Sequence, residues 1–330
     1  MIRRLLEWRS PGGAQARLSV LIFHRVLAEP DPLFPEELTS AGFAELCGWL
    51  SRWFNVLPLP DAVQRLREGR LPPRAAALTF DDGYADNHDV ALPVLQRAGL
   101  PCTFFVAVGF LDGGRMWNDS VIEAVRGTRS TRLEIADLLP GLLPLPCTSP
   151  AERRASIEQI IARTKYLEPA ERLVQVSRIA ERAGAALPDN LMMTREQVRA
   201  LHRAGMTIGA HTVNHPILAR LPAAEARREV EDGKHELERI IDAPVRLFAY
   251  PNGKPGVDYN AESVAIVKAA GFDAAVSTAW GVATAASDPM QLPRFTPWDR
   301  TPRRFALRML HNMRTRQVMP AFRASGATAA

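Results

Sequence analysis

Six short runs of apolar or β-branched residues punctuate the chain: 18–24 (LSVLIFH), 75–80 (AAALTF), 102–108 (CTFFVAV), 206–210 (MTIGA), 246–251 (RLFAYP) and 274–278 (AAVST). They are nearly continuous rather than alternating, the pattern of parallel strands buried on both faces. Between them the period changes to three and four. Residues 39–54 open with Thr39 and Ser40 as helix caps, 89–99 end at Gly99, and 194–204 are followed by Gly205. Residues 222–241 and 260–270, the latter closed by Gly271, complete the set. Polar caps at the start and glycine at the end are the usual boundaries of amphipathic helices. Strand, helix and strand in this order predict βαβ units and an α/β fold whose repeated units close into a barrel, or an incomplete one.

The rhythm lapses between about 111 and 190. Helix-like segments dominate there, Pro and Gly cluster at 140–150 and 184–188, and no strand is evident. The expectation is a helical insertion within the α/β frame, serving as a lid or substrate wall. The organisation read from the sequence is therefore an extension at 1–17, a main domain at 18–300 containing the insertion, and a basic C-terminal helix and tail at 301–330.

Composition narrows the functional classes. With 330 residues, 47% hydrophobic and 23% charged, the chain can bury a sizeable core, and extended disorder is excluded. The formal charge of +5 comes largely from Arg interleaved with Glu, as in AERRASIEQIIARTKYLEPAERL, which reads as solvated helix faces; no nucleic-acid partner is expected. The densest basic segment, 298–317, mixes Arg with Phe, Leu and Met at helical spacing. It reads either as a closing helix packed on the body or as a peripheral membrane contact. Cys47, Cys102 and Cys147 lack metal-ligand spacing and read as buried thiols of a reducing compartment. The N-terminal segment lacks the pattern of a signal peptide, and no stretch of 18 apolar residues occurs, so the expected location is the cytoplasm, with membrane association through the basic segment.

Chemistry concentrates where predicted strands end. Asp81 and Asp82 follow ALTF, His211 and His215 follow TIGA, and Tyr250–Gly253 follow RLFA. In parallel α/β folds these carboxyl ends carry the reacting groups. Two histidines four apart can converge on one metal ion when the backbone is helical or turns tightly. A carboxylate from a neighbouring strand end, Asp82 or Asp81, would complete a two-His, one-carboxylate site. The other aspartate is then free to take a proton from water acidified by the ion. Taken singly, the DDG turn and the HxxxH pair have bland readings, a capping turn and two surface histidines. Together, at strand ends of one fold, a metal site explains them better.

TFDDG, HTVNH and FAYPNG, in this order, resemble the polysaccharide deacetylases with a nodulation-protein-B homology domain, carbohydrate esterase family four. VLIFHRV near the start, LPVLQRAGLPCTFFVAVGFLDGG after the Asp pair and LPRF near the end extend the resemblance over about 18–300. It implies a distorted (β/α) barrel and metal-dependent removal of acetyl from an N-acetylated amino sugar. Carried over by position, Asp81 is the general base and Asp82, His211 and His215 are the ligands. The implied ion is divalent, Zn²⁺ first, with Co²⁺, Ni²⁺ or Mn²⁺ as alternatives. Tyr250, Pro251 and Asn252 are expected to help hold the oxyanion or the substrate, and Trp117 to meet the sugar.

The chain departs from the family pattern twice. Many members carry an Arg two residues before the third-motif proline, where this chain has Ala249. Many also carry a late Leu-x-His whose histidine is the general acid, where this chain has Leu292-Pro293-Arg294. Guanidinium is a poor proton donor, so Arg294 is expected to orient Asp81 or stabilise charge. The acid role then falls to His24, at the end of the first strand. The early histidine and the FAYP motif resemble the branch that deacetylates poly-N-acetylglucosamine. Thr212 and Asn214 are expected to orient the ligands, and Tyr84 and Trp280 are weaker candidates for sugar stacking. The expected substrate is an N-acetylated glycan or a lipid- or nucleotide-linked precursor. The competing readings are a catalytically lapsed carbohydrate-binding barrel and a deacetylase or deformylase of a small non-sugar amide.

Overall fold

Seven short strands pair in parallel into one curled sheet. In chain order, the computed structural model, which describes residues 2–297 and 299–314, contains α1 (Ile2–Arg9), β1 (Ser19–Phe23), α2 (Ser40–Trp53), β2 (Asn55–Val56), α3 (Leu59–Arg67), β3 (Ala75–Phe80), α4 (Leu92–Ala98) and β4 (Thr103–Val106). The insertion follows as α5 (Trp117–Gly127), β5 (Arg132–Leu133), β6 (Leu145–Pro146), α6 (Pro150–Thr164) and α7 (Pro169–Ala183). The α/β frame resumes with α8 (Arg195–Arg203), β7 (Thr207–Ala210), α9 (Ala223–Ile241), β8 (Leu247–Ala249), α10 (Ala261–Ala269), β9 (Ala274–Val276) and α11 (Pro302–Asn312).

The strand order is β1-β3-β4-β7-β8-β9, with β2 paired to the first residues of β3. β1 and β9 are bridged by residues 292–295. Leu292 receives a hydrogen bond from Ser277 and donates to Ala275, while Phe295 does the same with Ile22 and Val20. This short segment is the last stave of a distorted (β/α) barrel, and it inserts Arg294 at the seam.

Strand periodicity then sorts the core. Ala75, Ala77 and Thr79 face one way along β3, Ala76, Leu78 and Phe80 the other. The first set joins an inner cluster with Val20, Phe105, Leu247, Ala249 and Val276, while Phe80 stacks on Phe23 and Phe104 and meets Phe43 of α2. Small inner residues are required because Phe105 fills the interior. A Cβ on Gly209 of β7 would lie 2.4 Å from its ring.

Most expected boundaries fall within a residue or two of the observed ones. Thr39 caps α2 by accepting from the Gly42 amide, and Gly99 ends α4 at φ +63°. The insertion differs from expectation in holding a short antiparallel β5–β6 pair. Strands of two residues leave no periodic trace in sequence. The inserted helices pack around a separate apolar cluster including Val125, Leu133, Ile157, Ile160, Val176 and Ile179.

The described part of the basic segment forms α11, whose Phe305, Ala306 and Met309 are buried. The Phe305 ring lies 5.7 Å from Trp49 and 6.1 Å from Trp53, so this apolar face is taken by the body of the protein. Trp298 and residues 315–330 of the proposed basic segment and tail lie outside the described residues. All three cysteines are buried and free, and no helix among the described residues is long and apolar enough to cross a membrane. Truncating Phe305 to Ala is expected to cost about 3–5 kcal/mol, read as a lowered denaturation midpoint with an unchanged denaturant slope.

Candidate metal centre and its cavity

Asp81 continues the inward face of β3, in step with Ala75, Ala77 and Thr79. If the strand ran on, Asp82 would point outward. Instead Asp82 adopts φ +76° and Gly83 φ +91°, and the turn swings the second carboxylate back over the barrel mouth. The two aspartates diverge because of this left-handed turn, not through strand alternation alone.

Asp81 is buried and gripped from the seam. Arg294 Nη1 donates to Asp81 Oδ1 at 2.7 Å and Nη2 to Oδ2 at 2.6 Å. The guanidinium is itself fixed by donation to the Ser277 carbonyl and Thr79 Oγ1, and it sits 5.7 Å from the Phe105 ring centroid. Burial alone would raise the Asp81 pKa, but the charge of Arg294 and its hydrogen bonds outweigh it and hold the carboxyl below its ordinary range.

Asp82 faces the histidines. Its Oδ1 lies 3.4 Å from His211 Nε2 and 3.5 Å from His215 Nε2, and the three ligand atoms lie within 4.8 Å of one another. The edges of a tetrahedron around an ion with ligands at 2.0–2.1 Å measure about 3.3 Å. The His211 ring is oriented by a 2.8 Å contact from Nδ1 to the Ala249 carbonyl. A carbonyl only accepts, so Nδ1 carries a proton and Nε2 is the atom left to ligate. Burial would lower the His211 pKa, but Asp82 outweighs it and raises it, so a cation binding at Nε2 competes with a proton there. Burial and the neighbouring His211 push His215 down to about 4, favouring the neutral form that ligates. The donor set, spacing and tautomer therefore fit a divalent cation.

The turn between the histidines is tight rather than helical, with Thr212 at φ +67° and His215 at φ +52°. Thr212 Oγ1 accepts from the His215 amide at 3.0 Å and donates to the His211 carbonyl. Glu229 of α9 accepts from the Val213 and Asn214 amides and from Asn214 Nδ2. α9 can approach this turn because residue 233 is glycine. A Cβ there would lie 2.9 Å from the Thr212 carbonyl carbon.

These groups floor a cavity of about 320 Å³, lined also by His24, Trp117, Asn118, Lys165, Arg172, Asn252 and Thr278. His24 is exposed to it, and its ring makes no hydrogen bond among the described residues. His24 is therefore not a core histidine satisfied by backbone. Asn252 sits at φ +57°, with its carbonyl accepting from Thr278 Oγ1 at 2.8 Å. Its own N–H meets no acceptor among the described residues.

Tyr250 does not belong to the cavity. Its side chain is fully buried, stacks on Tyr259 with centroids 3.9 Å apart and donates to the Met290 carbonyl, while its amide donates to Val276. Pro251 is buried, is not among the lining residues, and has no N–H to offer. Period two explains the error at Tyr250: Leu247 and Ala249 face inward, so residue 250 faces outward. Tyr84 is buried with its hydroxyl donating to Asp119 at 3.1 Å, and the half-buried Trp280 meets Phe295 edge to face; neither is among the residues that line the cavity. Burial leads the causes that raise Asp119 to about 7. Sequence reasoning missed Lys165, Arg172, Asn118 and Thr278. All but Thr278 come from the insertion, whose fold no local pattern discloses.

The family model described as Polysaccharide deacetylase matches residues 68–126 and 175–275. A curated relative, YxkH of Bacillus subtilis (strain 168), bears a polysaccharide deacetylase name. It is 20% identical over 271 residues, covering 82% of this chain and 67% of its own. The Streptococcus pyogenes deacetylase PplD in complex with acetate is 18% identical with a TM-score of 0.57, over 90% of this chain and 98% of PplD. IcaB from Ammonifex degensii is 18% identical with a TM-score of 0.56, over 93% and 99%. These structural likenesses establish a shared fold.

Gly233→Ala is expected to displace the 211–215 turn without touching a ligand. Metal affinity in a chelator competition should fall roughly 10–100-fold while circular dichroism stays native.

Proposed function

Because the chain belongs to the polysaccharide deacetylase family, with a metal-ready Asp82, His211 and His215 set at the barrel mouth, we propose that it hydrolyses the acetamido group of an N-acetylated amino sugar. The observation that carries this reading is the division of labour between adjacent carboxylates: Asp82 faces both imidazoles and Asp81 faces only Arg294.

Asp82, His211 and His215 would hold the ion, with Zn²⁺ first among the candidates for a mixed nitrogen and oxygen set. When bound, it supplies Lewis-acid polarisation of the acetyl carbonyl and a lowered pKa for water. Asp81 accepts the proton of the attacking water. Its clamp by Arg294 makes it a fixed but weak base, adequate for water already acidified. The Asn252 N–H donates to the oxygen that gains charge as the acetyl carbon becomes tetrahedral. His24 then delivers a proton to the amine nitrogen as the C–N bond breaks, leaving acetate and a free amino sugar. Arg294 acts through Asp81 as a positioning residue, supplying from the seam what Ala249 cannot. Trp117 walls the sugar.

The finer likeness to the poly-N-acetylglucosamine branch concerns this acid and base arrangement, with an early histidine and FAYP at the third motif. It does not fix the substrate, which the insertion wall selects. The exposed arginines beside α11 leave room for a peripheral membrane contact, and a cytoplasmic site of action remains part of the proposal.

The test combines metal content with amine release from N-acetylglucosamine oligomers and lipid-linked acetamido sugars. Asp81→Asn should keep about one ion per chain, as one three-ligand site requires, and lose roughly 10²–10⁴ in turnover. His211→Ala should lose both. Retention of metal and activity in His211→Ala sinks the proposal, while bound metal without hydrolysis of any acetamido sugar favours a lapsed binding barrel. For the acid role, His24→Ala should keep its metal and fall by roughly 10²–10⁴ in turnover; near-normal turnover removes His24 from the mechanism.

A further inference from the structure

The two carboxylates in the cavity already have partners: Asp81 is neutralised by Arg294, and Asp82 faces two imidazoles. The opposite wall carries positive charge with no such partner. Lys165, just past the end of α6, and Arg172 of α7 both line the cavity. Neither pairs with a carboxylate among the described residues. Arg172 lies over the Trp117 ring at 4.8 Å and donates from Nη1 to the Lys165 main-chain carbonyl, which fixes it against the end of α6. Its Nε is buried without a hydrogen-bond partner. Burial lowers the Arg172 pKa, and no acidic neighbour offsets the effect. A third cation, Arg220, lies over the Tyr166 ring at 4.6 Å, while Lys165 Nζ approaches the same ring at 5.7 Å.

An unpaired cation half-removed from water is a cost to folding that an anionic ligand relieves. A neutral acetyl sugar would leave Lys165 and Arg172 unanswered. A single carboxylate would answer one of them. A phosphoryl group, with up to two charges and three acceptor oxygens, answers both. The cavity of about 320 Å³ lies at the small end of ligand sites, so the anion must lie close to the acetamido group.

We propose that Lys165 and Arg172 form a phosphoryl subsite, and that the substrate is an acetamido sugar carrying a phosphate or diphosphate on the same or the adjoining unit. This rests on the deacetylase reading above and deepens it. Trp117 and Arg172 also line a neighbouring groove of about 550 Å³, with Phe110, Pro169, Leu173 and Leu221 on its apolar side and Glu225, Glu229 and Asp232 on its acidic side, so a phosphate is held at Arg172 rather than farther along it. The phosphoryl subsite thus stands between the catalytic floor and this groove, whose apolar side can take an uncharged remainder of the substrate.

The test compares kcat/KM of the full chain on neutral N-acetylglucosamine oligomers, N-acetylglucosamine 1-phosphate, uridine diphosphate N-acetylglucosamine and a polyprenyl-diphosphate-linked N-acetylglucosamine. Wild type is expected to prefer at least one phosphorylated substrate about tenfold or more, and the preferred arm identifies free, nucleotide-linked or lipid-linked phosphate. In Lys165→Gln/Arg172→Gln that preference should collapse through KM. Lys165→Glu, which leaves the Arg172 contact with Trp117 in place, should invert it. Equal kcat/KM for neutral and phosphorylated substrates in wild type, or an undiminished preference in the double variant, overturns the subsite. If no substrate yields amine, calorimetric binding decides. Tighter binding of N-acetylglucosamine 1-phosphate than of N-acetylglucosamine, lost in the double variant, upholds the subsite even as the hydrolytic reading fails, and equal binding rejects it.

Discussion

The bidentate pair between Asp81 and Arg294 is the constraint around which the barrel mouth is arranged. Removing either partner of a buried ion pair strands a charge in low dielectric, a loss of about 3–5 kcal/mol. The surroundings add two further bonds to the pair: the Ser277 carbonyl takes Nε–H and Thr79 takes a second bond from Nη1, while the Phe105 ring lies 5.7 Å from the guanidinium. The small inner column Ala75, Ala77, Thr79 and the absent Cβ at Gly209 make room for that ring. The choice of residues deep in the barrel thus follows from what must be held at its top.

Around the pair the backbone carries local strain. Seven non-glycine residues among those described have positive φ, and four of them, Asp82, Thr212, His215 and Asn252, belong to the site. A β-branched threonine in that region is a true outlier, and such conformations cost of order 1–3 kcal/mol each. In the histidine turn they persist because Glu229 ties its amides while Gly233 lets α9 press against it. The metal-ready geometry is imposed on the turn from outside, which is why its outermost supports matter as much as its ligands.

The strands were legible because a parallel strand buried on both faces leaves an unbroken apolar run, as at 19–23 and 75–80. That a carboxylate of the Asp81–Asp82 pair would meet His211 and His215 followed from placing each at a strand end, whereas the choice of Asp82 came from the family resemblance. Legibility failed wherever orientation or long-range packing decided the outcome. Tyr250 sits beside the right motif but on the wrong face of β8, a distinction that counting by twos from Ala249 would have made. Lys165 and Arg172 are more than 80 residues from Asp82 in sequence, counted from their positions in the chain, and reach the cavity only through the folding of the insertion. Nothing local marks them apart from the other arginines of solvated helices.

The last stave divides the site between two parts of the barrel. The three candidate ligands stand at the ends of β3 and β7, in the middle of the sheet, whereas the guanidinium that fixes the base comes from the segment that joins β9 to β1. The seam of the barrel thus reaches the base directly through Arg294, while the ligand set is held by β8 and α9. A disturbance confined to residues 292–295 therefore acts on the proton acceptor and not on the cation's donors.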